Sequence, residues 1–213
     1  QPQKQPEFST RKTALEASHQ RANYDSLHFL LATQYTQLSA EARRTLRITL
    51  EKQAVWPYEF ICPPTEPGTH IVLQGRLYDE KQQPIAGAKL HIFQTDNQGY
   101  YSPLDASTGR MLENDPRLEG FLSTDSLGRF DIRTIRPASY PVKYEGRLIP
   151  QHIHVNVTAD GFRDGIFQVV FEDDPAMQTE HWQAWALKGK HPVVKPDYSG
   201  KEIRAELELT LNR

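Results

Sequence analysis

Short segments in which apolar and polar residues alternate recur from residue 71 to the end of the chain. The last of them reads Ile-Arg-Ala-Glu-Leu-Glu-Leu-Thr-Leu over residues 203–211. Because successive side chains of a strand point to opposite faces, this pattern predicts a strand with one buried face. Strands are predicted on such grounds at residues 71–78, 89–94, 129–135, 152–158, 166–171 and 202–211.

Turn residues separate these segments at short intervals. They form the clusters 81–84, 96–99, 125–128 and 160–161, each of which ends in Pro or Gly. Short strands joined in this way, without alternating helices, are typical of an antiparallel sandwich rather than of a parallel α/β sheet. The predicted fold class is therefore mainly β, an antiparallel β-sandwich.

The first quarter of the chain has a helical composition instead. Residues 9–53 contain neither Gly nor Pro and are rich in helix formers, and Ser39 has the character of the N-cap of a second helix. Prolines between residues 57 and 67 end this region, because proline lacks an amide donor. We predict a flexible polar tether at 1–8, a helical extension at 9–56 and a β-sandwich domain, which carries the candidate site, at 57–213.

The composition argues against several classes of function. The 213 residues are 38% hydrophobic and 24% charged, as in ordinary soluble proteins. A formal net charge of −2 without any Lys/Arg block predicts no nucleic-acid partner. The apolar runs are far shorter than the roughly 20 residues of a membrane-spanning helix, so no membrane span is predicted.

The single cysteine, Cys62, permits neither an intrachain disulfide nor a cysteine-based zinc site, and we interpret it as a structural thiol. The chain opens on the polar run Gln-Pro-Gln-Lys-Gln-Pro, which has the character of a tether exposed by removal of an upstream segment. We expect a soluble protein, either cytoplasmic or exported.

His152 and His154 are the sharpest local signal for chemistry. Residues two apart in a strand project to the same face, so their imidazoles can bind one metal ion together. The same spacing also arises by chance on solvent-facing strands, so further ligands are needed. Tyr101 and Tyr140 lie in loops of the kind that carry functional groups, although packing at the rim of the sandwich is the better explanation for either of them taken singly.

A series of motifs along residues 71–175 resembles the intradiol ring-cleavage dioxygenases, the family of catechol and protocatechuate dioxygenases. The motifs are Gln74-Gly-Arg-Leu-Tyr-Asp79, Pro84-Ile-Ala-Gly-Ala88, Gln94-Thr-Asp-Asn-Gln-Gly-Tyr-Tyr-Ser102, Ser123-Thr-Asp125, Gly128-Arg-Phe130, Thr134-Ile-Arg-Pro137, Tyr140-Pro141, His152-Ile-His154 and Gln168. Several motifs in the family's order are far more specific than any one of them.

The resemblance implies a non-haem iron(III) ion held by the phenolates of Tyr101 and Tyr140 and the imidazoles of His152 and His154. The register of Gly-Tyr-Tyr-Ser favours Tyr101 over its neighbour Tyr100. In the family, the tyrosine that corresponds to Tyr140 leaves the metal and accepts a substrate proton. The implied reaction inserts O2 into a catechol-type aromatic diol and cleaves the ring between the two hydroxylated carbons, which gives a muconate-type diacid.

The sequence departs from the family at Ile149, where relatives carry an arginine that stabilises negative charge near the substrate. Arg147 or Arg163 is expected to replace it. Gln168 matches a glutamine near the bound diol, although it also fits a surface position on its strand. The irregular residues 103–120 are expected to line the entrance and to set specificity.

Two other functions remain open at this stage: a non-catalytic transthyretin-like β-sandwich binding module, and a metal-binding relative that has lost ring cleavage. The helical extension is expected either to cover the mouth of the site or to pair two subunits in a homo-oligomer. Trp182 and Trp185 are interpreted as anchors of the C-terminal segment, and His91 as part of a polar network in the core.

Overall fold

The computed structural model describes residues 6–113 and 115–213. Within them the chain begins with helix α1 (Pro6–Gln34), a short 3₁₀ turn and helix α2 (Ala40–Gln53). The predicted tether of residues 1–8 is too long, because α1 already begins at Pro6 and proline is favoured at the first position of a helix. Residues 1–5 of that tether lie outside the described part of the chain.

The strands of the described residues reproduce the sequence pattern closely. They are β1 (Tyr58–Phe60), β2 (His70–Asp79), β3 (Lys89–Gln94), β4 (Leu118–Ser123), β5 (Arg129–Ile135), β6 (Lys143–Tyr144), β7 (Arg147–Leu148), β8 (His152–Thr158), β9 (Gly165–Phe171), β10 (Val193–Val194) and β11 (Ile203–Leu211). Helix α3 (Glu180–Gly189) lies between β9 and β10. All of the predicted strands are confirmed. Among the described helices, none is long and apolar enough to cross a membrane.

The longer strands form two sheets, in the orders β1-β5-β2-β11 and β10-β9-β8-β3-β4, while β6 and β7 pair as a hairpin. Both sheets are mixed, because β1 and β5, β2 and β11, and β9 and β10 run parallel. The predicted antiparallel arrangement is therefore wrong in these places. Alternation within β11 reports which face is buried, whereas the direction of its neighbour depends on a long connection that no tight turn constrains.

The two sheets contribute to one hydrophobic cluster. Its fully buried members include Leu73 and Ile132 from the four-stranded sheet and Ile92, Val155 and Val169 from the five-stranded sheet. The apolar residues of β11 join this cluster, which confirms the predicted buried face of that strand. The middle of the five-stranded sheet is thereby held in place on its inner side.

Helices α1 and α2 pack against β4. Tyr24, Leu31 and Leu50 form a second hydrophobic cluster with Phe121 of β4. Every residue of β4 is consequently buried, and its sequence, Leu-Glu-Gly-Phe-Leu-Ser, shows no alternation. This burial on both faces explains why the sequence pattern does not reveal the strand.

Buried polar contacts join the helices to the sheets. Tyr24 of α1 donates a hydrogen bond of 2.6 Å to the carboxylate of Glu59 on β1. Glu119 of β4 pairs with Arg47 of α2 and, over 2.9 Å, with His91 of β3. His91 therefore belongs to the polar network in which it was expected.

Candidate metal centre

Strand β8 presents His152 and His154 in the middle of the five-stranded sheet, with their ring centroids 4.8 Å apart. In the antiparallel registers His154 lies opposite Phe93 of β3 and Gln168 of β9. The ring of Phe93 stacks on that of His154 with a centroid distance of 4.4 Å. This packing restricts rotation of the imidazole, so the ring is held in one orientation.

A backbone carbonyl orients the other imidazole. Nδ1 of His152 donates a hydrogen bond to the carbonyl oxygen of Pro150, 2.7 Å away. We assign the proton to Nδ1 because a carbonyl oxygen can only accept. The lone pair on Nε2 of His152 is then available to a metal ion. A hydrogen bond from the other ring nitrogen to a carbonyl oxygen is usual for metal-binding histidines.

Two loops bring tyrosines to the same point. Tyr101 follows β3 through a turn that contains Asp96, whose carbonyl oxygen accepts a 2.9 Å hydrogen bond from the amide of Ala138, in the loop that carries Tyr140. Gly99 of the same turn has a φ of +88° and lies against the backbone of the Tyr140 loop. A side chain there would be strained and would collide with a carbonyl oxygen, so glycine permits the close approach.

The four side chains form one continuous series of polar contacts. The hydroxyl oxygens of Tyr101 and Tyr140 lie 2.5 Å apart. The Tyr101 oxygen is 2.9 Å from Nε2 of His154, and the Tyr140 oxygen is 3.1 Å from Nε2 of His152. The structure therefore brings together the residues that the resemblance singled out, and it uses Tyr101 rather than Tyr100.

Burial controls the protonation of these groups. It raises the pKa of the Tyr101 and Tyr140 hydroxyls and lowers the pKa of His152. Burial, together with His152 and further histidines nearby, lowers the pKa of His154 to about 4. At neutral pH both imidazoles are therefore uncharged, which is the form that binds metals.

The donor set suits a hard, highly charged cation. The two phenols are neutral in their buried setting, but an adjacent cation of high charge stabilises the phenolate form, as it does for other metal-bound acids. Within residues 6–113 and 115–213, no three His, Cys, Asp or Glu side chains are arranged to hold a metal ion. Two phenolic oxygens and two imidazole nitrogens fit iron(III), because anionic oxygen donors favour hard cations.

A cavity of about 510 Å³ opens beside this centre. Tyr140, His152, His154 and Gln168 form part of its lining, whereas Tyr101 is not among the lining residues. Of the two tyrosines, Tyr140 is therefore the one in contact with the cavity. Another cavity, of about 730 Å³, lies beside α1 and α2, but its lining carries no comparable set of donor groups.

Two other predicted site residues, Arg147 and Arg163, lie outside the cavity lining. Arg147 lies on the β6–β7 hairpin, where its side chain is 46% exposed and pairs with Glu145 over 3.3 Å. It does not line the cavity, because the hairpin turns through Glu145 and Gly146, both at positive φ, and carries it into solvent. Arg163 is also exposed and outside the lining. The expectation that either arginine replaces the cation missing at Ile149 is wrong for this conformation.

The described residues of the segment 103–120 do not line this cavity either. The segment turns towards α2 instead, because Asp115 accepts hydrogen bonds from Arg43 and Arg47 of that helix and from Tyr35 just before it. The expected role of this segment at the entrance is therefore wrong for this cavity. Nor do the described side chains of α1 and α2 contribute to the lining.

Helix α3 supplies wall residues that the sequence interpretation assigned only to packing. Trp182 does anchor α3, in a cluster with Val170 of β9 and Met177. Trp182, Trp185 and the preceding His181 also line the cavity. The spacing of three between the two tryptophans is a signal for a shared helix face, but it does not reveal what that face contacts.

Comparison with known proteins gives a consistent assignment. The family model described as "Dioxygenase" matches residues 59–210. A chlorocatechol 1,2-dioxygenase from Rhodococcus opacus is 30% identical over 149 aligned positions, and the alignment covers 64% of this chain and 56% of that protein. A catechol 1,2-dioxygenase from Acinetobacter lwoffii is 28% identical over 152 aligned positions, and the alignment covers 66% of this chain and 52% of that protein.

A solved structure has the same fold. Catechol 1,2-dioxygenase from Acinetobacter sp. ADP1 matches with a TM-score of 0.58 at 25% identity, over 75% of this chain and 58% of that one. The chain spans little more than half the length of the relatives named above. The family model, however, covers most of this chain, and the relatives are dioxygenases of the intradiol type. The protein belongs to the intradiol ring-cleavage dioxygenase family.

Proposed function

We propose that the protein is a non-haem iron(III) dioxygenase that cleaves a catechol-type aromatic diol between its two hydroxylated carbons. The observation that carries the proposal is the convergence of two phenolic oxygens and two imidazole nitrogens, linked by contacts of 2.5 to 3.1 Å. Tyr101, Tyr140, His152 and His154 would hold the iron. We further infer that the two mixed sheets, which share one core, form the sandwich that carries this site.

The side chains have distinct tasks in this proposal. The bound iron(III) supplies Lewis acidity that makes the diol more acidic and its ring reactive towards dioxygen. Tyr140 lines the cavity, so its phenolate oxygen is placed to accept a proton from an incoming diol hydroxyl. Tyr101 does not line the cavity, and its hydroxyl oxygen lies 2.9 Å from Nε2 of His154. His152 and His154 stay neutral and add no charge that would repel the metal.

Gln168 is the remaining polar candidate. It lies opposite His154 on β9 and lines the cavity, so its amide is placed to hydrogen-bond a substrate oxygen. In the overall reaction, one diol and one O2 yield one diacid, and both oxygen atoms enter the product as the carbon–carbon bond breaks. The chain's residues orient the diol and take up its protons, and the cavity walls limit access of water.

A metal-binding relative without ring cleavage is the second candidate. Its support is Ile149, an apolar residue where the family has an arginine, packed in the cluster that contains Trp182. The iron site would then persist while the charge stabilisation needed for turnover is missing.

Metal binding and turnover can be tested separately. Iron(III) is titrated into the purified chain, and bound iron is measured together with visible absorption, because iron–phenolate charge transfer colours the protein. Oxygen uptake and diacid formation are then followed with catechol. We expect colour, iron binding and a diacid product.

A matched pair of variants identifies the metal ligands. Tyr101→Phe should lose most of the colour, whereas Tyr100→Phe, in the neighbouring residue outside the cluster, should keep it. A protein that binds no iron would overturn the proposal. Coloured protein that forms no diacid would favour the second candidate.

A further inference from the structure

Helix α3 forms an aromatic wall of the cavity beside Ile149, the position at which the family carries a charge. The rings of Trp182 and Trp185 meet edge to face with centroids 5.5 Å apart, and Trp185 stacks on His191 at 4.3 Å. Ile149 packs in the same cluster as both tryptophans. The wall is therefore built from apolar and aromatic surface, supported from behind by other packed side chains.

The wall is fixed relative to the metal centre. Asp174 accepts a 2.6 Å hydrogen bond from the amide of Gln151, directly before His152, and a 2.9 Å bond from the amide of Ala176, in the short turn that leads into α3. The Asp174 carboxylate thus links, through hydrogen bonds, the residue before β8 to the short turn before α3. A substrate bound at the histidines would meet the tryptophan wall at a defined distance.

The lining contains no Arg, Lys, Asp or Glu among the described residues. Its polar groups are the tyrosine hydroxyls, the histidine imidazoles, the tryptophan indole N–H groups and the amide of Gln168. A substrate carboxylate placed against this wall would lose water without gaining a cation, which is strongly unfavourable.

The cavity is larger than an unsubstituted catechol requires. A cavity of roughly 150 Å³ accommodates a benzene-sized ring, whereas this cavity measures about 510 Å³. The remaining space is bounded by tryptophan rings, which prefer to pack on other rings in offset or edge-to-face geometry.

We propose that the substrate is an uncharged catechol that carries an aromatic arm, and that Trp182 and Trp185 bind this arm. The inference rests on the proposed function, since it assumes that the diol end occupies the iron centre. The tryptophan wall selects among diols and takes no part in the ring cleavage itself.

Kinetics with a matched series of diols test the selection in the iron-loaded protein. The series is catechol, 4-phenylcatechol and 3,4-dihydroxybenzoate, which differ in the group at one ring position. We expect kcat/KM for 4-phenylcatechol to exceed that for 3,4-dihydroxybenzoate by about 10²-fold or more, as expected when a buried polar group is left without a partner. Equal values, or a preference for the carboxylate, would overturn the inference and leave ring cleavage itself standing.

Three variants, two of them on α3 and one at Ile149, locate the selection. Trp185→Ala should lower kcat/KM for 4-phenylcatechol by about tenfold, in line with the loss of a large apolar contact, and leave that for catechol nearly unchanged. Leu187→Ala is the matched control, because Leu187 lies on the same helix with 83% of its surface exposed. Ile149→Arg should raise kcat/KM for 3,4-dihydroxybenzoate relative to that for 4-phenylcatechol, since the arginine supplies the missing cation.

Binding to the metal-free protein separates the two proposals. Titration followed by tryptophan fluorescence should give a dissociation constant for 4-phenylcatechol about tenfold below that for 3,4-dihydroxybenzoate, with the difference reduced in Trp185→Ala. If this difference is found but the iron-loaded protein cleaves nothing, the proposed function fails while the binding inference holds. If both diols bind alike, the binding inference fails.

Discussion

Tyr140 places its hydroxyl oxygen 2.5 Å from that of Tyr101, although 39 positions separate the two residues. Only one of the two faces the cavity, because Tyr140 belongs to its lining and Tyr101 does not. Two chemically identical groups are therefore suited to different roles: Tyr140 to contact with the substrate, and Tyr101 to retention of the metal.

The Tyr140→Phe variant tests this division. We expect kcat with catechol to fall by about 10²- to 10⁴-fold, the usual contribution of a general base, while much of the bound iron is retained. Oxygen uptake and iron content are measured side by side. Tyr144→Phe is the control, since Tyr144 lines the cavity outside the series of four. Unchanged turnover in Tyr140→Phe would contradict the assigned role.

Gly99 couples the two tyrosine loops, and its replacement should loosen the centre. Alanine at this position would be strained at a φ of +88° and would collide with the carbonyl oxygen of Ser139. We expect Gly99→Ala to lower the free energy of unfolding by roughly 1–3 kcal/mol, measured by urea denaturation, and to weaken iron retention. Gly161→Ala is the matched control, because Gly161 has a φ of +80° with open space around its α-carbon. Equal losses in both variants would show that the collision is unimportant.

The strands were predictable because alternation and turn chemistry are local. Strand β11 shows this directly, since every second residue enters the core. Strand β4 was not predicted from the sequence because the helices cover its outer face, and β1 was not predicted because it has only three residues. The parallel pairing of β11 with β2 depends on the path of the chain between them, which no local pattern records.

The candidate centre was predictable from motif order and the cavity wall was not. The pair His152 and His154 follows from strand geometry, but the link to Tyr101 and Tyr140 came from the family resemblance. Trp182 and Trp185 carry the pattern of a buried helix face, and the same pattern results whether that face meets a core or a cavity. Arg147 was misplaced because the direction of a short hairpin depends on its two turn residues.

The contrasting positions of Gln168 and Arg147 lead to a paired prediction. Gln168→Ala removes a polar group from the cavity lining, so we expect kcat/KM with catechol to fall by about tenfold, the value of one hydrogen bond to substrate. Arg147→Ala alters an exposed ion pair that contributes little, and activity should stay within about twofold. Steady-state oxygen uptake measures both. A large loss in Arg147→Ala would mean that the hairpin closes over the substrate during turnover.

The helical extension should be held in a pH-dependent way by His28, which is buried with Nδ1 3.3 Å from the Glu59 carboxylate. Nε2 of His28 meets the carbonyl oxygen of Glu119. Burial alone disfavours the charged imidazole, but the attraction of Glu59 outweighs it and raises the pKa of His28 above its usual value. Because the folded pKa lies above the unfolded value of about 6.5, the stabilisation is complete below that pH and is lost as the pH rises through the folded pKa.

The stability difference between the wild-type protein and His28→Gln should therefore be largest in mildly acidic solution and shrink as the pH is raised. Urea denaturation at a series of pH values, starting near pH 6, measures it. The control is His19→Gln, because His19 lies exposed on the same helix and its loss should give no such trend. A difference that stays constant with pH, or grows as the pH is raised, would show that His28 is not held as a cation by Glu59. Such a result would leave the candidate metal centre unaffected, since none of the described residues that line its cavity belongs to α1.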